Sequence, residues 1–398
     1  MLRLKEQLGK YLYEIVHDKP ESGFSFFRSI FLAALKFLSY IYCVLAWTKR
    51  SLYQYGLLKN YKLSCPVISL GNITLGGTGK TPTAKKLAFL IRDMGFRVAV
   101  LNRGYKASYK GEAALVSDGE KTYMDVYQAG DEAYLLAKSM PGVMVIIGAN
   151  RGLAGQFAIE KHGAQVIIID DGYQHWRLKR DMDIVLIDTL NPFGNRHPLP
   201  RGTLREPLAC LERADVFLLT KANQSAKTIQ NAIKEELEKH NKNALIVTSS
   251  HSPECFINIE EWLKQSNHTP HSTLHTSLKA PFDLKNDKVI AFSALGNPTS
   301  FEQTLNSLEI KTVEFICYQD HHKYTIDEML QMAQMAVDTD AKALVTTEKD
   351  AVKIPEEFLK NKKIPIYVLP IEIVFHDGYE KLTDAIVNML RLKSIGEK

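Results

Sequence analysis

The sequence has few cysteines and none of the spacings in which cysteine builds structure. Five cysteines occur in 398 residues, an odd number, widely scattered and without a C-x-x-C pair. This usage excludes a disulfide framework and a zinc ribbon, and it favours a reducing compartment. The five are Cys43, Cys65, Cys210, Cys255 and Cys317.

A strong charge of either sign and low-complexity tracts are also missing. Lys and Arg number 50 against 45 Asp and Glu, a net charge of +5. That excess suits phosphate-bearing ligands or anionic lipid, but it is too small for a nucleic-acid-binding surface, so we expect no nucleic-acid partner. With 45% hydrophobic and 24% charged residues, the chain is typical of a folded protein of two or three domains. His268, His271 and His275 stand in a polar stretch, which predicts a solvated loop in preference to a metal site.

One long apolar run is present near the N-terminus, at residues 29–47, flanked by Arg28, Lys49 and Arg50. As a helix it would be roughly 29 Å long, just enough to cross a hydrocarbon core. A cleavable signal peptide fits poorly, because the run begins late and no small-residue cleavage site follows it. We therefore expect a retained, membrane-associating helix.

The polar residues of this run fall on one helical stripe. Ser29, Lys36, Tyr40 and Trp47 are spaced by seven, four and seven residues. This favours a helix lying in the membrane interface, or one that spans with Lys36 reaching towards the headgroups. The alternative is a core helix packed on the soluble body.

A glycine-rich phosphate-binding loop follows the first predicted strand, 66–70. Residues 71–82 read GNITLGGTGKTP, a near match to the Walker A pattern in which Thr74 replaces the first glycine. Glycines let backbone N–H groups crowd around a polyphosphate, Lys80 reaches its β- and γ-phosphates, and the Thr81 hydroxyl can bind Mg²⁺. The competing interpretation is a glycine-rich turn without a nucleotide. The candidate phosphate-binding residues are Thr74, Leu75, Gly76, Gly77, Thr78, Gly79, Lys80 and Thr81.

An acidic pair ends another predicted strand. The apolar run 165–169 leads into Asp170 and Asp171, as in a Walker B element. The carboxyl ends of parallel strands share one edge of a sheet, so Asp170 can reach a nucleotide-bound Mg²⁺ there. A turn or helix cap is the alternative reading of the two aspartates.

Short apolar strands alternate with helical periods through most of the chain, which predicts an α/β fold with a P-loop NTPase-like parallel sheet core and a second, smaller α/β lobe. We divide the chain into an N-terminal membrane-associating region 1–63, a P-loop domain 64–249, a linker 250–287 and a C-terminal lobe 288–398. The site is expected between the lobes. The predicted strands are 66–70, 97–102, 143–148, 165–170, 183–188, 215–220, 244–249, 288–293, 312–317, 343–347 and 366–369.

Seven motifs in one order resemble the tetraacyldisaccharide 4'-kinase family, the lipid A 4'-kinases of Gram-negative bacteria. They are 71–82, Asn102-Arg103-Gly104-Tyr105-Lys106, Gly130-Asp131-Glu132, Asp170-Asp171-Gly172-Tyr173-Gln174-His175, Leu204-Arg205-Glu206-Pro207, Asp320-His321-His322 and Thr346-Thr347-Glu348-Lys349-Asp350. The resemblance implies transfer of the ATP γ-phosphate to the 4'-hydroxyl of a tetraacyldisaccharide 1-phosphate, giving lipid IVA in lipid A biosynthesis. It further implies Mg²⁺ and the cytoplasmic face of the inner membrane. We expect a monomer.

The resemblance also implies roles for individual residues. It points to Asp131 as the base, with His321 as its partner, and leaves the choice between His321 and the adjacent His322 open. A first-turn helix carboxylate and a solvated loop histidine are the alternatives. Lys80 joins them in catalysis through charge neutralisation.

Further polar residues are assigned to ligands in the same way. Asp171 and Glu206 join Asp170 and Thr81 as candidates for the metal. Arg103 and Arg205 would pair with phosphates of the nucleotide or lipid, although each is equally a surface salt-bridge partner by its residue type alone. Gln174 and His175 would line the cleft, with a structural histidine nearly as good a reading.

Two other functions remain open from the sequence. A membrane-associated P-loop NTPase switch acting on a protein partner would share the loop, although Leu75 stands where partitioning NTPases carry a signature lysine. A nucleotide-binding scaffold without catalysis would leave the acidic residues idle. For a lipid substrate, Phe26, Phe27 and Tyr53 would line an apolar groove.

Overall fold

The structure is a computed structural model that describes residues 26–264 and 286–395. His268, His271 and His275 lie outside these residues, as do most of the expected linker and the side chains of Phe26 and Phe27. The helices are α1 (Phe26–Gln54), α2 (Lys80–Asp93), α3 (Val126–Ala129), α4 (Asp131–Ser139), α5 (Arg151–His162), α6 (Lys227–His240), α7 (Ile259–Lys264), α8 (Pro298–Ser307), α9 (Ile326–Asp338), α10 (Glu348–Ala351), α11 (Glu356–Asn361) and α12 (Tyr379–Ile395).

The strands form two sheets. They are β1 (Val67–Gly71), β2 (Val98–Asn102), β3 (Ala114–Ser117), β4 (Met144–Ile147), β5 (Val166–Ile169), β6 (Met182–Asp188), β7 (Val216–Thr220), β8 (Leu245–Pro253), β9 (Ile257–Asn258), β10 (Lys288–Ser293), β11 (Lys311–Cys317), β12 (Ala343–Thr347), β13 (Ile366–Leu369) and β14 (Ile371–Phe375).

The large sheet has nine strands in the order β14-β8-β7-β6-β1-β5-β2-β4-β3. Its seven inner strands are parallel, and the two edge strands β14 and β3 run antiparallel to their neighbours. The inner strands β1 and β5 are buried throughout, as expected for strands covered by helices on both faces. Because β1 pairs with β5 from Val67↔Ile167 to Ser69↔Ile169, the phosphate loop and Asp170 emerge side by side.

The small sheet has five strands in the order β11-β10-β12-β13-β9. Four of them are parallel, and β9 is an antiparallel edge strand. Each sheet has its own apolar core, with Ile68 and Leu136 in one and Phe292 and Met332 in the other. The expected P-loop fold with a second, smaller α/β lobe is confirmed.

The division of the chain between the lobes differs from the prediction at both ends of the small lobe. Strand β14 pairs with β8 in the large sheet, and Leu382, Ile386 and Leu390 of α12 belong to the core of that sheet. Residues 371–395 therefore return to the large lobe. At the other end, β9 joins the small sheet from within the expected linker. Hydrophobic patterning misses both features because the pairing of edge strands depends on partners distant in sequence.

Helix α1 lies along the large lobe and leaves most of its apolar surface uncovered. Its body-facing stripe is pinned by polar contacts. Ser39 Oγ donates to the carbonyl of Pro198 at 2.8 Å, and Tyr42 Oη donates to the carbonyl of Arg205 at 2.8 Å. By length and composition, Arg28–Gln54 is long and apolar enough to cross a membrane. The predicted stripe of Ser29, Lys36, Tyr40 and Trp47 is exposed. So are large apolar residues around it: Ile30, Phe31, Phe37, Leu38, Ile41, Val44 and Leu45.

Candidate active site

A cleft of about 710 Å³ opens between the two lobes. It receives the carboxyl ends of parallel strands from both sheets, where the crevice of an open α/β sheet binds ligands. The large lobe contributes the phosphate loop and Asp170, and the small lobe contributes His321 and Lys349. The carboxyl-end loops of both sheets therefore line the same cleft.

The phosphate loop has the backbone that its glycines predict. Gly79 adopts φ +87° directly before α2, and a Cβ atom there would meet His251 Nε2 at 2.6 Å. Lys80 opens α2 and places Nζ 3.2 Å from Asn72 Oδ1 and 3.6 Å from Asp171 Oδ1. Leu75, Gly76, Gly77, Thr78 and Thr81 also line the cleft. The loop therefore presents an ammonium group and a helix N-terminus to one anionic ligand.

A buried ion pair and a threonine hydroxyl hold the backbone of the loop in place. Lys221 Nζ lies 2.5 Å from Asp188 Oδ2 and donates to the Gly77 carbonyl at 3.1 Å. Thr220 Oγ1 donates to the Thr78 carbonyl at 3.0 Å. The sequence did not predict this support, although Thr220 ends the buried strand β7 and Lys221 follows it, at the edge of the sheet where the phosphate loop opens.

Asp170 is buried with one oxygen unsatisfied. Its Oδ2 accepts from Asn102 Nδ2 at 2.9 Å, while Oδ1 has no hydrogen-bond partner in the described part of the chain. Burial, followed by the charge of Glu132, raises the pKa of Asp170 to about 6. A buried oxygen of this kind beside a phosphate loop fits a cation ligand. Over residues 26–264 and 286–395, no three His, Cys, Asp or Glu side chains group as a complete metal cage.

Asp171 is instead neutralised by protein cations. Arg205 Nη1 lies 2.7 and 2.8 Å from its two carboxylate oxygens. Burial raises the pKa of Asp171, but Lys80 and Arg205 outweigh it and hold that pKa below its usual value. Gln174 supports this edge by donating to the Asn72 carbonyl at 3.0 Å. Arg205 thus lies at the rim of the cleft with a carboxylate as its partner.

Four of the predicted ligand-binding residues do not line the cleft: Thr74, Gln174, His175 and Glu206. Thr74 is buried in a bridge to Leu204. Glu206 pairs with the buried Arg213 at 3.0 Å, so its expected role at the metal is not supported by its position. Burial, followed by the charges of Arg151, Arg180, Arg177 and Lys49, lowers the pKa of His175 to about 3, as expected for a neutral structural histidine. Sequence proximity to a motif did not reveal which way these side chains point.

Asp131 and His321 meet across the lobe boundary. His321 Nδ1 lies 2.8 Å from Asp131 Oδ2, and both side chains are largely buried. Of the two, His321 lines the cleft and Asp131 lies behind it. His322 points elsewhere, because its Nε2 lies 3.0 Å from Glu328 Oε2 and its ring stacks on Tyr318. His321 is therefore the one of the two adjacent histidines that contacts Asp131.

Comparison with known proteins identifies the family of this chain. The family model described as tetraacyldisaccharide-1-P 4'-kinase matches residues 31–391. The chain belongs to this family. A tetraacyldisaccharide 4'-kinase from Halothermothrix orenii is 39% identical over 93% of this chain and 95% of its own length. One from Syntrophus aciditrophicus is 37% identical over 87% and 90%.

A solved structure of the family was determined with ATP. The "apo" form of LpxK from Aquifex aeolicus in complex with ATP is 31% identical, has a TM-score of 0.67, and matches over 90% of this chain and 99% of its own. The P-loop core and the small lobe of this kinase therefore have a counterpart in a nucleotide-binding relative.

Two arginines besides Arg205 line the same cleft of the kinase. Arg103 is exposed there, in a position from which it could reach a ligand in the cleft. Arg151 was missed. It opens α5, is buried, and keeps Nε without a hydrogen-bond partner among the described residues. Burial lowers the pKa of Arg151 to about 10, partly offset by Asp170. A buried guanidinium facing an open cleft is suited to an anionic ligand.

Proposed function

We propose that this kinase transfers the γ-phosphoryl group of ATP to the 4'-hydroxyl of a tetraacyldisaccharide 1-phosphate, producing lipid IVA. The bond between the γ-phosphorus and its bridging oxygen breaks, a bond from the sugar oxygen to that phosphorus forms, and ADP leaves. The contact between Asp131 and His321 carries the proposal, because it places an acid–base pair opposite a phosphate loop.

Charge neutralisation falls to the large lobe. Lys80 and Arg151 lie where a polyphosphate would follow the loop, and Arg103 lies on the same wall. Asp170 Oδ1 and the Thr81 hydroxyl are the atoms that would hold Mg²⁺, a set that suits this ion because it retains several waters and phosphate oxygens. When bound, the ion neutralises charge on the β- and γ-phosphates.

Proton transfer falls to the pair between the lobes. The bond to Asp131 occupies His321 Nδ1, and His321 Nε2 lies 3.8 Å from Glu132 and 3.9 Å from Asp320, two residues of the cleft wall. We assign His321 Nε2 as the atom that receives the hydroxyl proton and Asp131 as the carboxylate that orients and stabilises the ring. This exchanges the roles that the family resemblance implies for the two residues.

The membrane supplies the substrate. Helix α1 presents Phe37, Val44 and Leu45 away from the body, and its inner stripe is fixed by Ser39 and Tyr42. A helix pinned along its length in this way suits an interfacial position on the cytoplasmic face of the inner membrane better than a free span. Replacing Val44 and Leu45 with Asp should lower vesicle binding and raise the apparent KM for lipid more than that for ATP.

A transfer assay tests the proposed reaction. Detergent-solubilised protein is incubated with Mg²⁺, [γ-³²P]ATP and tetraacyldisaccharide 1-phosphate, beside Lys80→Ala and Asp131→Ala. Label should enter the lipid with the unmodified protein and fall by orders of magnitude in both variants. Release of free phosphate without labelled lipid would instead support a nucleotide switch acting on a protein partner.

A further inference from the structure

The motif at residues 346–350 has no part in the reaction described so far, yet the side chain of Lys349 lines the cleft. We propose that Lys349 is a positioning residue that locks the small lobe onto the large lobe and thereby holds the pair of Asp131 and His321 together. This inference rests on the proposed function, because it concerns the acid–base pair of that reaction.

Lys349 contacts a neighbour of each member of the pair. Its Nζ lies 2.9 Å from Asp320 Oδ1, beside His321 in the small lobe. It also lies 3.6 Å from Glu132 Oε1, beside Asp131 in the large lobe. The Lys349 ammonium group therefore bridges the two lobes. Its partners, Glu132 and Asp320, are the chain neighbours of Asp131 and His321.

The surrounding charges require such a cation. Three carboxylates converge here, those of Asp131, Glu132 and Asp320, and like charges at this spacing repel one another. Burial disfavours the charged form of Lys349, but Glu132 and Asp320 outweigh it and raise its pKa. Without the ammonium group, repulsion between Glu132 of one lobe and Asp320 of the other would act to open the boundary.

The small lobe fixes the origin of this side chain. Asp350, the next residue, is fully buried and pairs with the buried Lys353 at 2.7 Å. Its Oδ1 accepts from the Ala294 backbone N–H and from Tyr324 Oη, both at 3.0 Å. Thr347 Oγ1 donates to Asp350 Oδ2 at 2.6 Å. Helix α10 is thus anchored to the small sheet, so Lys349 extends from a rigid base.

This arrangement couples Lys349 to the protonation of the pair. Burial raises the pKa of Asp131, while the hydrogen bond from His321 and the charges of His321, Lys349 and Lys353 lower it to below its usual value. Glu132 and Asp320 are the negative groups facing the same point. Removing the Lys349 charge therefore raises the pKa of Asp131, so the acid limb of the pH–rate profile should move to higher pH.

The test compares Lys349→Met and Lys349→Arg with Lys360→Met. Lys360 is an exposed lysine of the same lobe whose ion-pair partner is Glu356 at 3.9 Å. Lipid phosphorylation is measured from pH 4 to 9, together with binding of a fluorescent ATP analogue. For Lys349→Met we expect kcat to fall about 10- to 100-fold and the acid limb to move up by about half a pH unit or more. Nucleotide affinity should stay within about threefold, since Lys349 does not belong to the phosphate loop.

Lys349→Arg should recover most of the rate and the original acid limb, and Lys360→Met should match the unmodified protein. Loss of rate in Lys349→Met with an unmoved acid limb, or with ATP affinity falling in step, would overturn the positioning role. A protein that is inactive before any substitution would refute the proposed function itself.

A second variant covers the case in which Lys349→Met fails to fold. Glu132→Gln removes the partner from the other lobe, and its effect should not multiply with that of Lys349→Gln, because both remove the same contact. Independent, multiplicative losses in the double variant would contradict the lock.

Discussion

Replacing Asp170 with Asn should stabilise the protein at neutral pH while abolishing phosphoryl transfer. Asp170 is 3% exposed, and its Oδ1 has no partner among the described residues. Burial, then the charge of Glu132, raises its pKa from 3.8 to about 6. The ionised side chain is therefore retained at a cost to folding, as expected for a carboxylate that serves a ligand.

The sign and size of the effect follow from linkage. The folded protein holds this proton more tightly than the unfolded chain does, so the destabilisation is absent below about pH 4 and complete above about pH 6. At about 1.4 kcal/mol per pKa unit, it amounts to about 3 kcal/mol. An amide stays neutral and can still accept from Asn102, but its own N–H₂ group lacks an acceptor, which costs about 1–2 kcal/mol. We expect a net gain of about 1–2 kcal/mol.

Urea unfolding in detergent with EDTA, at pH 5 and pH 8, measures this gain. The stability difference between Asp170→Asn and the unmodified protein should grow by roughly 1–2 kcal/mol between the two pH values. Mg²⁺ with ATP should then raise the unfolding midpoint of the unmodified protein far more than that of the variant. A stability difference that is the same at both pH values would refute the account of Asp170.

Three further experiments test other parts of the structure. His321→Ala should lower kcat about 10²- to 10⁴-fold in steady-state assays, whereas His322→Ala should stay within a few fold, and equal losses would contradict the choice between them. Lys221→Met leaves Asp188 buried and unpaired and should cost about 3–5 kcal/mol in urea unfolding; an unchanged midpoint would contradict the support of the loop. In Gly130→Ala the new Cβ would lie 2.5 Å from the Tyr105 carbonyl oxygen, at φ +84°. Gly95→Ala is the control, because Gly95 has a similar φ of +93° but no atom within contact distance of the new Cβ. The thermal midpoint of Gly130→Ala should therefore fall further than that of Gly95→Ala, and equal shifts would argue against the close contact.

The strands were predictable because each inner strand is a short apolar run between polar loops. Residues 288–293, 343–347 and 366–369 form strands with the predicted bounds, and most others differ by one or two residues at an end. Residues 371–395 were assigned to the small lobe, whereas β14 pairs with β8 and α12 packs in the core of the large sheet. The pairing of β14 joins segments more than 100 residues apart in the chain, which hydrophobic patterning does not reveal.

The site was predictable where one segment supplies the chemistry. Glycine spacing predicts the phosphate loop before α2, and the apolar run of β5 predicts the carboxylate that follows it. Arg151 and Lys221 gave no such signal, because their significance lies in burial against the cleft and against Asp188. Glu206 was predicted as a site residue because it lies in a motif, but Arg213 holds its carboxylate away from the cleft.

The position of the new phosphate on the lipid distinguishes the proposed reaction from any other transfer. Product from Mg²⁺, ATP and tetraacyldisaccharide 1-phosphate should be analysed by tandem mass spectrometry, with Asp131→Ala as the matched reaction. The account predicts one added phosphoryl group, located on the 4'-oxygen of the distal sugar, and none with the variant. Phosphorylation at another hydroxyl, or nucleotide hydrolysis with unmodified lipid, would contradict it.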